Sequence, residues 1–407
     1  MFDHLQISDR RERCLVGSTD IVLRGLAPLL LRQSSQHQRH AHRILLLRLE
    51  RIGDLLMALR AIGEVRRQAP GAQIDLVVGS WNAALANSLR DVDRVEVLDV
   101  PWMARQGSGA TWATLIRRAW AWRRRQYDLG INFEGDIRSN LLLGVSGAAQ
   151  RVGFTMGGGG PVLTEPVEFS KTAHTATNVG RLVVHAFGSA SDSLDGEEPD
   201  DAGQLPIPED ASGRAEALLT QTGATGMLIG IQASAGREIK QWDPDRFAQV
   251  GTALAREYDA TLVMTGTEGE KRVTEHVKRR IAEDVRIIDL PADLDLLTLG
   301  GVIKRLALYI TCDTGPMHLA AAVGTPIVAI FGPSLPSQYA PLSPRSRIVR
   351  VDLPCSPCNQ LRNPPSWCVG HIPDCLVGVE VPQVLSAARE LLGSSVQSTT
   401  HASTDAP

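Results

Sequence analysis

No run of apolar residues in this chain approaches the roughly 20 needed to span a bilayer. The opening residues, MFDHLQISDRRER, lack the apolar core of a secretory signal. A cytoplasmic protein is therefore expected. There is also no excess of basic charge: the formal net charge is −3, which argues against a dedicated nucleic-acid binder. No GxGxxG fingerprint follows the first apolar strand. The one glycine run, Gly157 to Gly160, comes late and ends in Pro161. It reads as a flexible loop near a cleft and not as a pyrophosphate cradle, which lowers an oxidoreductase reading.

What is present is an ordinary globular composition, 43% hydrophobic and 21% charged. A length of 407 residues leads to an expectation of two domains. Apolar strand runs at 44–49, 73–78, 94–100 and 127–133 alternate with helical stretches, including 55–65. Such alternation implies a parallel sheet covered on both faces. Residues 189–208 are rich in Ser, Asp, Glu, Gly and Pro and break the pattern. It then restarts with helices at 211–222, 245–257, 269–282 and 294–304 and strands at 227–232, 261–265 and 286–290. We expect an N-terminal extension and linker (1–40), a Rossmann-like domain (41–190), a linker (191–210), a second Rossmann-like domain (211–392) and an unstructured tail (393–407). Within the extension, 20–31 is a short apolar segment interrupted by Pro28, expected to dock on the protein. The following RQSSQHQRHAHR reads as a solvated linker.

The most informative stretch is 310–332, ITCDTGPMHLAAAVGTPIVAIFG. An apolar run ends in the polar knot Asp313-Thr314-Gly315-Pro316, a small-residue helix follows, and Gly324-Thr325-Pro326 turns into another strand. Open α/β sheets bind ligands at the carboxyl ends of their strands. A helix opening on Gly-Pro offers free N–H groups that favour a phosphate. The plainer alternative is a capped βαβ unit.

DTGPMHLAAAVGTPIVAIFG closely resembles the nucleotide-sugar segment of family 9 glycosyltransferases, the ADP-heptose:lipopolysaccharide heptosyltransferases. ILLLRLERIGDLLMALRAIGEVRRQAPGAQIDLVVGSW is similar to that family's opening strand, Gly-Asp loop, first helix and second strand. YDLGINFEGDIRSNLLLGVSGAAQRVGF, KTAHTATNVGRLV and GREIKQWDPDRFAQV resemble later segments, the last with Asp243 ahead of the proline. Together these span roughly residues 43–385. The resemblance implies a GT-B architecture, two Rossmann-like α/β domains facing across a cleft. It also implies inverting transfer of a heptose from ADP-heptose to a lipopolysaccharide-core or similar glycan acceptor.

Sugar transfer from a nucleotide donor needs the leaving diphosphate neutralised, the acceptor hydroxyl deprotonated and both held in line. Two strings match the metal-binding DxD pattern. Asp293-Leu294-Asp295 falls where a helix should begin, so Asp293 reads as an N-cap, and Asp91-Val92-Asp93 reads as a turn. No cofactor is therefore expected to be required. Lys240, after the small-residue loop Ser234-Ala235-Gly236-Arg237, can supply a point charge to phosphate. The family pattern places its phosphate-binding lysine there, although it usually opens the loop with Pro-Gly where this chain has Gln232-Ala233. The resemblance implies that Asp54 takes the proton from the acceptor hydroxyl. Its plainer role is to cap the helix that follows. Carboxylates with an ordinary pKa of roughly 4 are weak bases, so such a group would mainly orient the hydroxyl and receive the proton late. Glu270, with Glu268 as competitor, resembles the acidic residue near the nucleoside. Ser234, Asp313, Thr314, Gly315 and His318 are expected to complete the donor site.

Four of the six cysteines cluster as Cys355-x2-Cys358-x9-Cys368-x6-Cys375. The spacing permits a structural zinc; free thiols are the alternative. Arg117, Arg118, Arg123, Arg124 and Arg125 surround Trp120 and Trp122. They read as a solvated face with buried aromatics, with contact to an anionic acceptor or the inner membrane face as the second use. Other nucleotide sugars, a nucleotide-sugar epimerase of the same build and a non-catalytic glycan- or nucleotide-binding protein remain open.

Overall fold

The computed structural model describes residues 2, 5–7, 9–30, 41–103, 109–188, 205–360, 364–368 and 372–401. Most of the expected inter-domain linker and of the His-bearing linker lies outside them. The chain divides into two compact units, residues 1–198 and 199–407.

In the first unit the strands are β1 (Arg43–Arg48), β2 (Gln73–Val78), β3 (Arg94–Val97), β4 (Leu129–Asn132), β5 (Gln150–Phe154) and β6 (Glu165–Val167). They form one six-stranded parallel sheet of order β3-β2-β1-β4-β5-β6. Its helices are α1 (Arg10–Leu30), α2 (Ile52–Met57), α3 (Leu59–Gln68), α4 (Ala83–Asn87), α5 (Trp112–Trp122), α6 (Ile137–Ser146) and α7 (Thr175–Phe187). The strands of β1, β2 and β4 are buried almost throughout, as expected of a sheet covered on both faces.

The second unit repeats the plan. Strands β7 (Leu228–Gln232), β8 (Thr261–Met264), β9 (Ile287–Asp289), β10 (Leu308–Cys312), β11 (Ile327–Ile330) and β12 (Ser346–Val349) pair in the order β12-β11-β10-β7-β8-β9. Its helices are α8 (Glu209–Gln221), α9 (Pro244–Tyr258), α10 (Lys271–Arg280), α11 (Leu296–Ile303), α12 (Gly315–Ala322), α13 (Pro336–Tyr339), α14 (Asp374–Val377) and α15 (Val381–His401). Ile229, Ile231, Leu308 and Ile310 of the central strands pack with Trp242 and Phe247 in its core. In each sheet the strand order reverses between the middle pair, β1/β4 and β7/β10. Adjacent loops leave in opposite directions there, opening a crevice at the strand ends.

Three expectations change. Helix α15 continues to His401, where an unstructured tail was expected from residue 393. Extending a formed helix costs far less than starting one, and Val384, Ala388, Leu391 and Leu392 anchor its first turns in the core. Of the apolar segment 20–31, the side chains of 27–31 lie outside the description; Ile21, Val22 and Leu26 of α1 are exposed, while Val16 and Asp20, one turn apart, are buried. The four-glycine run is not a loose loop but the seat of that helix. Gly158 has φ +89°, and a Cβ there would overlap Val16. The next residue's N–H donates to Asp20 Oδ1 at 2.7 Å.

Removing a buried acceptor leaves its donor unpaired, at about 1–3 kcal/mol. Asp20→Ala is therefore expected to raise amide exchange across α1 roughly tenfold to a hundredfold. Unchanged exchange would show that the helix is held by something else.

Candidate functional site

The charged groups of each unit gather at the point of strand reversal. In the first unit, the carboxyl end of β1 runs Arg48-Leu49-Glu50-Arg51 and that of β4 runs Phe133-Glu134-Gly135-Asp136. Arg48 is 1% exposed and fully engaged. Its Nε and Nη2 donate to the Asp54 carbonyl at 3.0 and 2.8 Å, and its Nη1 donates to Glu50 Oε2 at 2.6 Å and to the Phe133 carbonyl at 2.7 Å. One guanidinium thus ties the Gly-Asp loop after β1 to the end of β4. The Asp54 carboxylate accepts from the Arg51 N–H at 3.0 Å. Its other oxygen lies 4.0 Å from Arg48 Nη2, and the side chain is 27% exposed. Asp54 therefore caps the start of α2 through one oxygen while its side chain stays partly exposed.

Glu134 Oε1 accepts from the Leu49 N–H at 2.8 Å, while its Oε2 is buried without a hydrogen-bond partner. Burial pushes its carboxyl up to about 7, with Arg48 opposing and Asp136 adding. Burial also lifts Glu50 well above the usual carboxylate range, and Asp54, Glu134 and Asp136 add to this against Arg48. Arg48, Glu50 and Glu134 were not picked out from sequence. Their signal is the charged residues at the ends of two apolar runs, legible only once β1 and β4 are known to be neighbours.

In the second unit, β7 ends at Gln232 and leads through Ser234 to Lys240, β8 leads to Glu270, and β10 ends beside Asp313. Lys240 Nζ and Asp313 Oδ2 form an ion pair at 2.6 Å, with side chains 18% and 8% exposed. Two residues chosen from sequence are thus in contact. Thr314 is the N-cap of α12 but makes no side-chain cap bond; its Oγ1 lies 3.2 Å from that of Thr311. The first turn of α12, with Gly315 and Pro316, contains no acidic residue. Its N–H groups and dipole so favour an anion beside the Lys240–Asp313 pair. His318 is buried in the next turn.

Gln232 explains the departure from the family's usual Pro-Gly. Its buried amide donates to Ser234 Oγ at 2.7 Å and to Glu270 Oε2 at 3.4 Å, and accepts from Thr265 Oγ1 at 2.7 Å. Ser234 is consequently fixed and turned inward, 1% exposed. Glu270 also accepts from the Thr267 N–H and Oγ1 at 2.8 and 2.9 Å. Glu268 is an exposed partner of Lys271. Of the two candidate acids, Glu270 joins the cluster.

The DxD strings have structural work. Asp295, not Asp293, caps α11 by accepting from the Thr298 N–H at 2.9 Å; the helix starts two residues later than expected because Pro291 begins a turn first. Asp93 accepts from the Ile74 N–H at 2.7 Å and from Arg66 at 2.6 Å. Among the described residues, Cys355, Cys358, Cys368 and Cys375 form no disulfide. Among the described residues no three His, Cys, Asp or Glu side chains converge as a metal set. Burial, with the neighbouring thiols adding, pushes Cys375 up to about 11.

Among the described residues no helix is long and apolar enough to cross a membrane. The family model for glycosyltransferase family 9 (heptosyltransferase) matches residues 116–365, more than half of the chain. Lipooligosaccharide heptosyltransferase 2 of Haemophilus influenzae is 24% identical over 74% of this chain and 86% of its own. Lipopolysaccharide heptosyltransferase 1 of Pseudomonas aeruginosa is 26% identical over 78% and 86%. The structure of E. coli ADP-heptose LPS heptosyltransferase II matches with a TM-score of 0.70 over 87% of this chain and 99% of that one, at 19% identity. The expected GT-B fold class, two Rossmann-like α/β units, is the one found. The family match sets aside the epimerase and the non-catalytic binding protein: this chain is a glycosyltransferase and belongs to family 9, the heptosyltransferases.

Proposed function

We propose that the protein transfers a heptose from an ADP-activated donor to a lipopolysaccharide-core or similar glycolipid acceptor, with inversion, at the cytoplasmic face of the inner membrane. The observation that carries this reading is the Lys240–Asp313 pair at the β7/β10 reversal, beside the uncapped start of α12. A diphosphate there would meet a lysine ammonium held in place by a buried carboxylate, and a row of backbone donors. Those groups stabilise negative charge that grows on the leaving diphosphate. Glu270 lies beyond the end of β8, where a carboxylate suits ribose hydroxyls, and the inward-turned Ser234 supports it through Gln232. Asp54 orients the acceptor hydroxyl and receives its proton as the oxygen attacks the anomeric carbon and the bond to the diphosphate breaks. No metal is assigned a part, since Asp93 and Asp295 are engaged in a turn and a helix cap.

The test is transfer to a truncated lipopolysaccharide core, followed by mass spectrometry, with ADP-heptose and with UDP- and GDP-sugars. Transfer from ADP-heptose alone is expected. Transfer from another donor instead would remove the heptose assignment. Lys240→Ala should weaken donor binding by about 10- to 100-fold, the loss of a hydrogen bond to a charged group, read by calorimetric titration with ADP. Equal affinity would remove Lys240 from the donor site.

A further inference from the structure

The face of α5 that does not enter the core is the strongest feature left unused. Leu115, Ala119 and Trp122 are its buried side. Trp112, Ile116 and Trp120, one helical turn apart, are exposed by 49%, 51% and 61%. This apolar row is about 12 Å long. The sequence expectation of buried aromatics holds for Trp122 alone. From Trp112 to Arg125 there are five arginines and no acid. Arg125 is turned to Asp75, and Arg118 to Glu96. Arg117 and Arg124 are exposed and make no ion pair among the described residues. The Arg123 guanidinium sits over the Trp120 ring, 4.5 Å from its centroid.

Side chains of this kind, indole rings with guanidinium groups at one level, match the boundary between lipid headgroups and acyl chains. The rings have an apolar body and a polar N–H, and the arginines reach outward to phosphate. The charge is local, since the chain as a whole carries −3. We propose that the Trp112–Ile116–Trp120 row, with Arg117, Arg123 and Arg124, is the surface by which the protein lies on an anionic lipid bilayer. This deepens the proposed function and rests on it for its meaning, because a glycolipid acceptor is presented at a bilayer surface.

The experiment is flotation of the full chain with vesicles of phosphatidylcholine alone or mixed with phosphatidylglycerol, at low and high salt. Wild type should float with the mixed vesicles and not with the neutral ones, and high salt should release it. Arg117→Gln/Arg124→Gln should lower the partition coefficient on the order of 20-fold, at about fivefold per basic residue. Trp120→Ser should lower it by about tenfold through lost apolar burial. Both variants should keep the wild-type melting temperature and transfer rate to a water-soluble acceptor. Equal binding to neutral and anionic vesicles, or variants that float like wild type, would overturn the proposal. A wild-type dimer in sedimentation that Ile116→Asp splits would also overturn it and give the row to a second copy. Because transfer to a soluble acceptor is read separately, failure of the surface and failure of the proposed reaction are distinguishable.

Discussion

Asp54→Ala is expected to lower kcat for transfer by about 10²- to 10⁴-fold, the range for a positioned proton acceptor, with ADP affinity unchanged. The structure separates this from a folding defect. What locks the loop is the Asp54 carbonyl, which takes both bonds from Arg48, and alanine keeps it. Among the described residues, the carboxylate's one bond from the backbone is that from the Arg51 N–H, a helix-capping contact of about 1 kcal/mol. Asp54→Asn keeps an oxygen for that cap while losing the ability to take a proton, so it should restore the melting temperature and not the rate. Rates followed by mass spectrometry of the product decide it. An alanine variant that turns over at the wild-type rate would remove Asp54 from the chemistry.

Arg48→Met should give the largest loss of stability, about 3–5 kcal/mol at pH 8, the usual consequence of removing one partner from buried charges. Four hydrogen bonds vanish, and Glu50 and Glu134 lose their opposing cation. The loss should shrink in acid. In the wild type the Glu134 carboxyl is raised from an ordinary 4.5 to about 7. Between those values the native state binds more protons than the unfolded chain. Its contribution to stability is therefore fully present below 4.5 and is lost as pH rises through about 7. Without Arg48 both carboxyls hold their protons to higher pH, so the falling limb extends further toward alkali. Urea denaturation of both proteins at pH 5 and pH 8 tests this. An equal loss at the two pH values would mean that packing, and not charge, is what Arg48 supplies.

Much of the fold was legible because central parallel strands are continuous apolar runs. The predicted runs at 73–78, 227–232 and 261–265 fall within a residue of β2, β7 and β8. The strands that were missed lack that pattern. β5 contains Gln150 and Arg151, both buried; the Arg151 guanidinium reaches the Val162 and Ala148 carbonyls, an arrangement no hydrophobic period announces. β6 is three residues with a central proline, and β12 is an edge strand opening on Ser346 and Arg347. The residues proposed for the donor site could be picked out because each stands in a motif. The contact between Lys240 and Asp313 joins residues 73 apart in sequence and follows only from the adjacency of β7 and β10. The Arg48–Glu134 cluster escaped for the same reason: neither residue stands in a motif with its partner. Trp120 was misplaced because it stands one helical turn from the exposed Ile116, out of register with the buried row of Leu115, Ala119 and Trp122.

The charged clusters of both units hang from the middle strands of their sheets, β1 with β4 and β7 with β10. Central strands open only in global unfolding, whereas loops and edges open locally at little cost. The charges proposed for the chemistry therefore share the fate of the sheet. On heating, such a protein should remain electrostatically competent up to its melting transition and then fail at once.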